Sequence, residues 1–529
     1  METLQRSYLK STGSVQELLV FLTTGAAVAM VYSWSQNYPL DGEFEKLPLP
    51  NAVGPVYWLS YLVLAVCLCA LASSSRSNLA KWVAAVGFFT LSCSLSYFFY
   101  LTPGPDTYFR NLAPAYIRSG FIDLLISPNY QWPGFFLLTR TFLEVTSLPQ
   151  NSFDTLYYFI GGLLLSSSVF IIAKKHRLEP FWSVVVFAIT GYFFLNYQFA
   201  PQTIALVFLM MLLQIDYSKK PNPTPGLVLL IAMNISHAFI GFMYAVYLLI
   251  RGIMDRRRLW GAVLAALIYL TVSIYLTASF FRYVAGNVIV SLQLLLGLRE
   301  YAMGVAITLG SPSPFQSLSR LSVIAAALVG GTGLVGMIRH KRLAPQDKTL
   351  IGTTLFLIAI GTTIEIIGAR ALQLAALVAA LGAGYFPGML HSRKIRMFLL
   401  VFLVLSSVFP VAHAYYSPAL YQPQDLLFAA EFFSARIVLS QGAPVRIVSP
   451  YIVRGFFGLS EAGNGSITLF TEYRFRLINN TASRVDYALI SSVRPVASTG
   501  QNPPVAVNYL LSRGNRIVSY GRGAVYALP

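Results

Sequence analysis

The sequence predicts an all-α polytopic membrane protein, with about 13 transmembrane helices and a small α/β domain at its C-terminus. The first observation is composition: of 529 residues, 56% are hydrophobic and 11% are charged, which is too little charge to cover a water-soluble surface of that size. The second is the recurrence of apolar runs of roughly 17 to 25 residues, long enough to cross hydrocarbon. The third is a change after Tyr416 to short runs rich in β-branched residues.

Thirteen apolar runs are candidate membrane spans. The first lacks a small-residue cleavage site, so it is interpreted as a retained span and not as a signal peptide. Several runs in the middle are short for a full crossing, so the count is approximate. The runs lie near residues 15–34, 53–73, 82–101, 155–173, 182–199, 201–215, 225–236, 237–251, 259–280, 321–338, 349–368, 371–389 and 397–415.

Lysines and arginines sort onto alternate connections between these runs. Of the 38, 20 lie on connections that share one side with the N-terminus. The positive-inside rule predicts a cytoplasmic N-terminus, and an odd number of spans places the C-terminal tail outside a cell membrane or an endoplasmic-reticulum-type membrane. This topology, together with the attraction of basic residues to anionic lipid, explains the formal charge of +18. No nucleic-acid recognition module is visible, so nucleic acid is not an expected partner.

Four regions follow from this pattern. Residues 1–81 hold two N-terminal spans, and residues 82–280 hold the next spans together with a long outer loop at 102–154. Residues 281–415 contain a second outer loop and the last spans, and residues 416–529 form the outer domain. In the first outer loop, FRNLAPAYIRSGFIDLLI and WPGFFLLTRTFLEVTSL have apolar residues at helical spacing and suit amphipathic helices in the membrane interface. In the tail, VRIVSPY, VDYALISS and RIVSYGRGAVYAL predict strands, and VAVNYLLSRG predicts a helix.

Asp106 is the carboxylate with the most distinctive position, because it follows the turn-forming stretch TPGP at the end of the third span. In DTYFR, Asp106 and Arg110 are four residues apart and would share one face of a helix. A surface ion pair is the simpler interpretation of such a pair, but the long outer loop that follows favours a functional carboxylate. The acids Asp41, Glu43 and Glu45, after the first span, are interpreted as a solvated loop.

Four polar residues stand at the predicted outer ends of other spans. Glu365 and Arg370 lie in apolar sequence, where they either lock each other as an ion pair or face a polar cavity that suits phosphate. His237, in MNISHAFIGF, has the position of a hydrogen-bonded packing residue or of a ligand. Gln202 follows Pro201 in NYQFAPQT, where an interrupted helix lines a cavity or simply turns.

The order of these features resembles the GT-C superfamily of membrane glycosyltransferases, which includes protein O-mannosyltransferases, lipid A aminoarabinose transferases and oligosaccharyltransferase catalytic subunits. The resemblance covers most of the chain from about residue 82. It rests on a span followed by PGPDTYFR, a long outer loop, closely spaced spans, a second outer loop and an outer C-terminal domain. GPDTYFRNLAPAYIRSG is similar to the first-loop pattern of the superfamily, and NRIVSYGRGAVYAL is similar to its closing strands.

The resemblance implies an enzyme that moves a sugar from a polyprenyl-phosphate-linked donor to an acceptor glycan, lipid or protein at the outer or lumenal face of the bilayer. It implies that Asp106 is the catalytic carboxylate and that Arg370 contacts the donor phosphate. A divalent cation, Mg²⁺ or Mn²⁺, is left open as a cofactor. The other predicted substrate-binding residues are Tyr108, Arg110, Gln202, His237 and Glu365.

Two other classes of function stay open at this point. A transporter or flippase for a lipid or a small polar solute would line its pathway with Glu365, Arg370 and His237. It would need neither the long outer loop nor the soluble tail. A non-catalytic scaffold, which binds a partner through its outer domain, would tolerate Asp106→Asn without loss of function.

Overall fold

The computed structural model describes residues 2–37, 53–75, 77–98, 133–148, 150–193, 200–218, 223–276, 316–361 and 365–416, together with five strands between residues 445 and 527. Fifteen α-helices lie in this described part. They are α1 (Glu2–Asn37), α2 (Pro55–Ser74), α3 (Asn78–Cys93), α4 (Pro133–Thr146), α5 (Gln150–Lys175), α6 (Pro180–Phe193), α7 (Pro201–Asp216), α8 (Pro223–Ser236), α9 (Ala238–Met254), α10 (Leu259–Leu276), α11 (Gln316–Arg339), α12 (Pro345–Gly361), α13 (Glu365–Tyr385), α14 (Arg393–Ser406) and α15 (Val408–Tyr416).

Proline marks the start of many of these helices. Its fixed φ suits the first helical turn, and its missing N–H is a group that has no intrahelical partner there in any case. Proline at a helix start therefore separates one apolar run from the next without breaking either. The six helices that begin at a proline are α2, α4, α6, α7, α8 and α12.

The helices confirm an all-α membrane protein in outline. Each predicted span overlaps a described helix, and α14 and α15 together occupy the last one. Within the described residues, seven helical segments are long and apolar enough to cross a membrane, and four apolar helices are shorter. The number 13 for the crossings therefore stays a prediction, as do the boundaries of the four regions. All three cysteines, Cys67, Cys69 and Cys93, are buried free thiols.

Helix α4 forms in the outer loop where WPGFFLLTRTFLEVTSL predicts a helix. Phe135 and Phe136 are fully buried, whereas Leu137, Leu138 and Val145 are exposed. One face therefore packs on the bundle and the other presents apolar side chains outward, which suits a helix in the interface. The other predicted loop helix, FRNLAPAYIRSGFIDLLI, lies outside the described residues. The second outer loop is predicted at 281–320, and its residues 281–315 also lie outside them, whereas residues 316–320 belong to α11.

The C-terminal region contains a five-stranded mixed sheet. Its strands are β1 (Val445–Ser449), β2 (Ile467–Thr471), β3 (Tyr487–Ser491), β4 (Asn515–Tyr520) and β5 (Gly523–Ala527). Their order is β2-β1-β3-β5-β4, with β1 parallel to both β2 and β3, and β5 antiparallel to both β3 and β4. The three predicted strand regions each contain a strand, and β2 has no predicted counterpart. Parallel pairs are typical of α/β domains. The predicted helix VAVNYLLSRG lies outside the described residues, so the α/β assignment stays a prediction.

Candidate functional site at the loop end of the bundle

One end of the bundle collects charged side chains from six helix termini, and contacts join them directly. Lys81 Nζ lies 3.1 Å from Glu179 Oε2, which joins the start of α3 to the connection between α5 and α6. The backbone N–H of Glu179 donates to the carbonyl of Gly384 near the end of α13. We call this the basic end; it comprises the termini at Lys81, Lys175–Glu179, Asp216–Tyr217, Arg251–Arg258, Asp347 and Arg393–Arg396.

Asp216 and Asp347 are the buried acids of the basic end. Asp216 accepts hydrogen bonds from Arg258 and from the Tyr247 hydroxyl, the latter at 2.6 Å. Asp347 accepts from the Tyr217 hydroxyl at 2.9 Å, and its carboxylate lies 3.5 Å from His176 Nδ1. Burial lowers the pKa of His176 and raises the pKa of Asp347, and the attraction between the two opposes both shifts. These contacts hold α5, α7, α9 and α12 together at the basic end.

The opposite end of the same helices is the candidate site. Helices α7, α9 and α13 end at the basic end, so their first residues lie at the opposite end. Helices α3 and α12 begin at the basic end, so their last residues lie at the opposite end. An α-helix rises about 1.5 Å per residue, so helices of this length separate the two ends by about 25 Å. We call the far end the loop end; it comprises Ser94–Phe98, Pro133–Thr146, Ala200–Gln202, Ser236–His237, Gly361 and Glu365.

Gln202 lies in the first turn of α7, where its side chain is 1% exposed. The turn is held by the carbonyl of Ala200, which accepts hydrogen bonds from Thr203 N–H at 3.1 Å and from the Tyr157 hydroxyl at 2.9 Å. Ala200 itself is extended, with φ −153° and ψ 157°, because the chain turns into the helix at Pro201. The interrupted helix therefore buries an amide at the loop end, which a purely apolar turn would not require.

His237 separates α8 from α9 and caps the second of them. Its side chain is buried, and Nδ1 accepts the N–H of Ile240 at 3.4 Å. A neutral imidazole that accepts through Nδ1 carries its proton on Nε2, so this nitrogen is a hydrogen-bond donor. Next to it, Asn234 donates through Nδ2 to the carbonyl of Leu230, and its Oδ1 packs so closely on Gly241 that a Cβ there would lie 1.9 Å away.

Helix α4 links these two positions. A Cβ on Gly134 would lie 2.8 Å from Ser236 Oγ, so the start of α4 packs directly beside the residue that precedes His237. The next residue, Phe135, makes an edge-to-face contact with Tyr157, with ring centroids 5.8 Å apart. Tyr157 in turn holds Ala200. Helix α4 thus contacts the residue that precedes His237 and, through Tyr157, the turn that holds Gln202.

The remaining predicted site residues are only partly within the described structure. Glu365 and Arg370 lie in the first two turns of α13, so their backbone belongs to the loop end, but their side chains are outside what the structure describes. Asp106, Tyr108 and Arg110 lie outside the described residues, and so do Asp41, Glu43 and Glu45. The chain leaves the described bundle for the Asp106 segment at Phe98, which is at the loop end.

Sequence reasoning did not single out Tyr157 or Asn234, although both support the site. Tyr157 has a weak signal in hindsight, because tyrosine is enriched at membrane boundaries where its hydroxyl finds a polar partner. Asn234 stands three residues before His237 in the same short motif. In the described residues, no three His, Cys, Asp or Glu side chains are grouped as metal ligands, so the Mg²⁺ or Mn²⁺ hypothesis has no support there.

No protein-family model matches the sequence, and no curated protein sequence matches it either. Two solved structures are similar in shape. ArnT from Cupriavidus metallidurans in the apo state superimposes with a TM-score of 0.44 at 13% identity, over 85% of this chain and 97% of that one. The arabinofuranosyltransferase AftD from Mycobacteria superimposes with a TM-score of 0.46 at 13% identity, over 87% of this chain and 40% of that one. Both TM-scores are below 0.5.

Proposed function

We propose that this chain is an integral-membrane glycosyltransferase of the GT-C type, which moves a sugar from a polyprenyl-phosphate-linked donor to an acceptor glycan, lipid or protein. One observation carries the proposal: the direction of the helices. Gln202, His237 and the first turns of α13, with Glu365 and Arg370, share the loop end with Phe98. Asp106 follows Phe98 by eight positions in the sequence.

A lipid-linked donor explains why such residues would gather at a helix end. Its polyprenyl tail stays in the hydrocarbon, whereas its sugar phosphate is charged and stays at the interface. The reacting carbon is therefore available only at membrane-boundary depth, where helix ends and interfacial helices lie. The outward apolar face of α4 suits the same boundary.

The proposed reaction is a displacement at the anomeric carbon of the donor. The Asp106 carboxylate accepts the proton of the acceptor hydroxyl as its oxygen forms the new bond to the anomeric carbon. The bond between that carbon and the phosphate oxygen breaks, and the electron pair leaves on the polyprenyl phosphate. The Arg370 guanidinium, which matches phosphate bidentately, offsets the charge that develops on the leaving group.

The other residues of the set bind and orient. In this proposal, Nε2–H of His237 donates to a donor oxygen and the Gln202 amide hydrogen-bonds the sugar. Tyr108 and Arg110 line the approach beside Asp106, and Glu365 holds Arg370 in place.

The decisive experiment compares Asp106→Asn with the unmodified protein in transfer of labelled sugar from a polyprenyl-phosphate donor, using purified protein in lipid. Asparagine keeps the size and most hydrogen bonding but removes the base. A catalytic acid or base contributes about 100-fold to 10,000-fold in rate, so we expect nearly complete loss of transfer with normal insertion. A transporter or flippase would release no transferred sugar from either form.

The matched control is Asp41→Asn, which removes a carboxylate from the first outer loop. We expect this variant to retain the unmodified rate, since that acidic cluster is interpreted as solvated surface. Unchanged transfer by Asp106→Asn would show that Asp106 is not the base. An inactive Asp41→Asn would move the reaction to the earlier loop.

A further inference from the structure

A second site lies at the basic end, about 25 Å of helix away from the loop end. A cavity of about 120 Å³ opens where the end of α2, the start of α3, the start of α6 and the first turn of α14 meet. Lys81, Arg393 and Arg396 line it from two of these helices, and Glu179 is a carboxylate beside them. Phe181 and Trp182 form its apolar wall.

The cavity is lined by three cationic side chains and one carboxylate. Lys81 already pairs with Glu179 at 3.1 Å, but Glu179 is half exposed, so this bond is weak and exchangeable. Arg396 has a buried Nε with no hydrogen-bond partner in the described part of the chain. A buried donor without an acceptor costs free energy, which an anion with several oxygens would recover. Arg393 is exposed at the rim and adds a second guanidinium one turn away.

The arrangement of these cationic groups suits a phosphate group. Two guanidinium groups three positions apart, about one turn of the helix, can each donate two N–H groups to phosphate oxygens, and Lys81 adds a third positive charge from the facing helix. The cluster also lies at the N-terminus of α14, where the helix dipole favours an anion.

The surroundings favour a lipid as the source of that phosphate. Trp82, next to Lys81, is 38% exposed, and Ile395 and Phe398, on either side of Arg396, are 52% and 70% exposed. Large exposed apolar side chains one or two positions from the cations suit acyl chains directly below a headgroup. A soluble phosphate would gain nothing from them.

We propose that this cavity binds the headgroup phosphate of an anionic phospholipid, with Arg396 and Arg393 as bidentate donors and Lys81 as the facing cation. A soluble phosphate offers the same oxygens as a lipid headgroup, so the experiment must separate a lipid ligand from a soluble one. The site is independent of sugar transfer and does not require that the loop end be catalytic.

The experiment measures lipid binding to the purified full-length chain by native mass spectrometry during titration with phosphatidylglycerol. Phosphatidylcholine provides a zwitterionic comparison, and inorganic phosphate provides the soluble competitor. We expect phosphatidylglycerol to bind more tightly than phosphatidylcholine and to stay bound in millimolar phosphate. Equal binding of the two lipids would overturn the proposal. Displacement of the lipid by phosphate would assign the cavity to a soluble ligand and would overturn the lipid assignment.

Two variants and one control test the residues. Arg396→Gln removes a charge-assisted bidentate contact and should weaken phosphatidylglycerol binding about tenfold. Lys394→Gln removes the same charge from the same turn but does not line the cavity, so it should change the affinity less than about twofold. Glu179→Gln removes the competing carboxylate and should tighten binding, an effect of opposite sign that a loss of folding cannot produce. Unchanged affinity for Arg396→Gln, or weaker binding for Glu179→Gln, would contradict the site.

Discussion

At the scale of single residues, each end of the bundle uses its buried polar groups differently. At the basic end, Asp216 has two arginines beside it and a tyrosine hydroxyl bonded to it. Such a group is satisfied by its own protein, and removal of one partner from a buried ion pair costs about 3 kcal/mol or more. At the loop end, His237 and Gln202 are buried polar groups of neutral charge. Around Asp216 the basic end therefore holds helices together through ion pairs and hydrogen bonds, whereas the loop end buries neutral polar side chains.

His237 gives a prediction at this scale, because its two nitrogens have separable roles. Nδ1 caps α9 and Nε2–H is the proposed donor to the substrate. His237→Asn keeps a side-chain acceptor that is favoured at helix N-caps but removes the Nε2 donor. We expect normal thermal stability and about a tenfold loss of sugar transfer, since a hydrogen bond to a charged group contributes about 1.5–3 kcal/mol. Melting temperature and transfer rate are measured on the same preparation.

His237→Ala is the companion variant for that measurement. It removes the cap as well as the donor, so it should lose about 1 kcal/mol of stability in addition to transfer. If His237→Asn transferred sugar at the unmodified rate, the role of His237 would be capping alone.

At the scale of elements, α13 is positioned by unusually close packing against α11. A Cβ on Gly333 would lie 1.9 Å from the carbonyl oxygen of Gly382, and one on Gly382 would lie 2.0 Å from the carbonyl oxygen of Gly330. Small residues at such crossings let helix backbones approach in membranes, where packing replaces the hydrophobic effect as the driving force. The axis of α13 follows from this contact, and with it the placement of the helix start that includes Glu365 and Arg370.

Gly333→Ala should therefore be costly although it adds one methyl group. The added carbon clashes with backbone, which cannot rotate away, so α11 and α13 must separate; we expect a loss of about 1–3 kcal/mol. Gly331→Ala is the matched control, since a Cβ there meets nothing within 4 Å. Alanine favours a helix by about 0.5–1 kcal/mol over glycine, so that variant should be neutral or slightly stabilising. Unfolding in mixed detergent micelles measures both, and equal stability of the two variants would contradict the close packing.

At the scale of the whole molecule, the helices give the protein two chemically different ends. Several basic residues that predict the cytoplasmic side, among them Lys81, Lys175 and Arg258, lie at the basic end, where Lys81 contacts Glu179. Every described predicted site residue lies at the other end. The membrane side of each end is still a prediction of the positive-inside rule.

Reporter fusions test that orientation. Fusions after Ser218 or Arg257, at the basic end, should give cytoplasmic signals, because positive residues near the ends of spans are retained inside. Fusions after Asp106 or within residues 430–529 should give external signals. An external signal at Arg257 would reverse the orientation of the bundle, and the candidate site would then face the cytoplasm.

The sequence by itself determined the class of protein, the position of almost every helix and most strands of the tail. These are local properties, because an apolar run, a proline at its start and a cluster of basic residues after it determine the structure of their own segment. Strand β2, ITLFT, has no counterpart among the predicted strands. The burial of Gln202 and the partners of an isolated acid are different in kind, since they depend on residues far away in the chain.

Only the tertiary structure decided which residues meet. Asp216 and Arg258 lie 42 positions apart, Tyr217 and Asp347 lie 130 apart, and nothing in either local sequence specifies the partner. The N-cap role of His237 could be recognised only once the end of α8 was known. The link through α4 could be recognised only from the contact of Phe135 with Tyr157. Helix packing selects such pairs because burying a polar group without a partner is costly, and only the assembled bundle determines which groups are buried together.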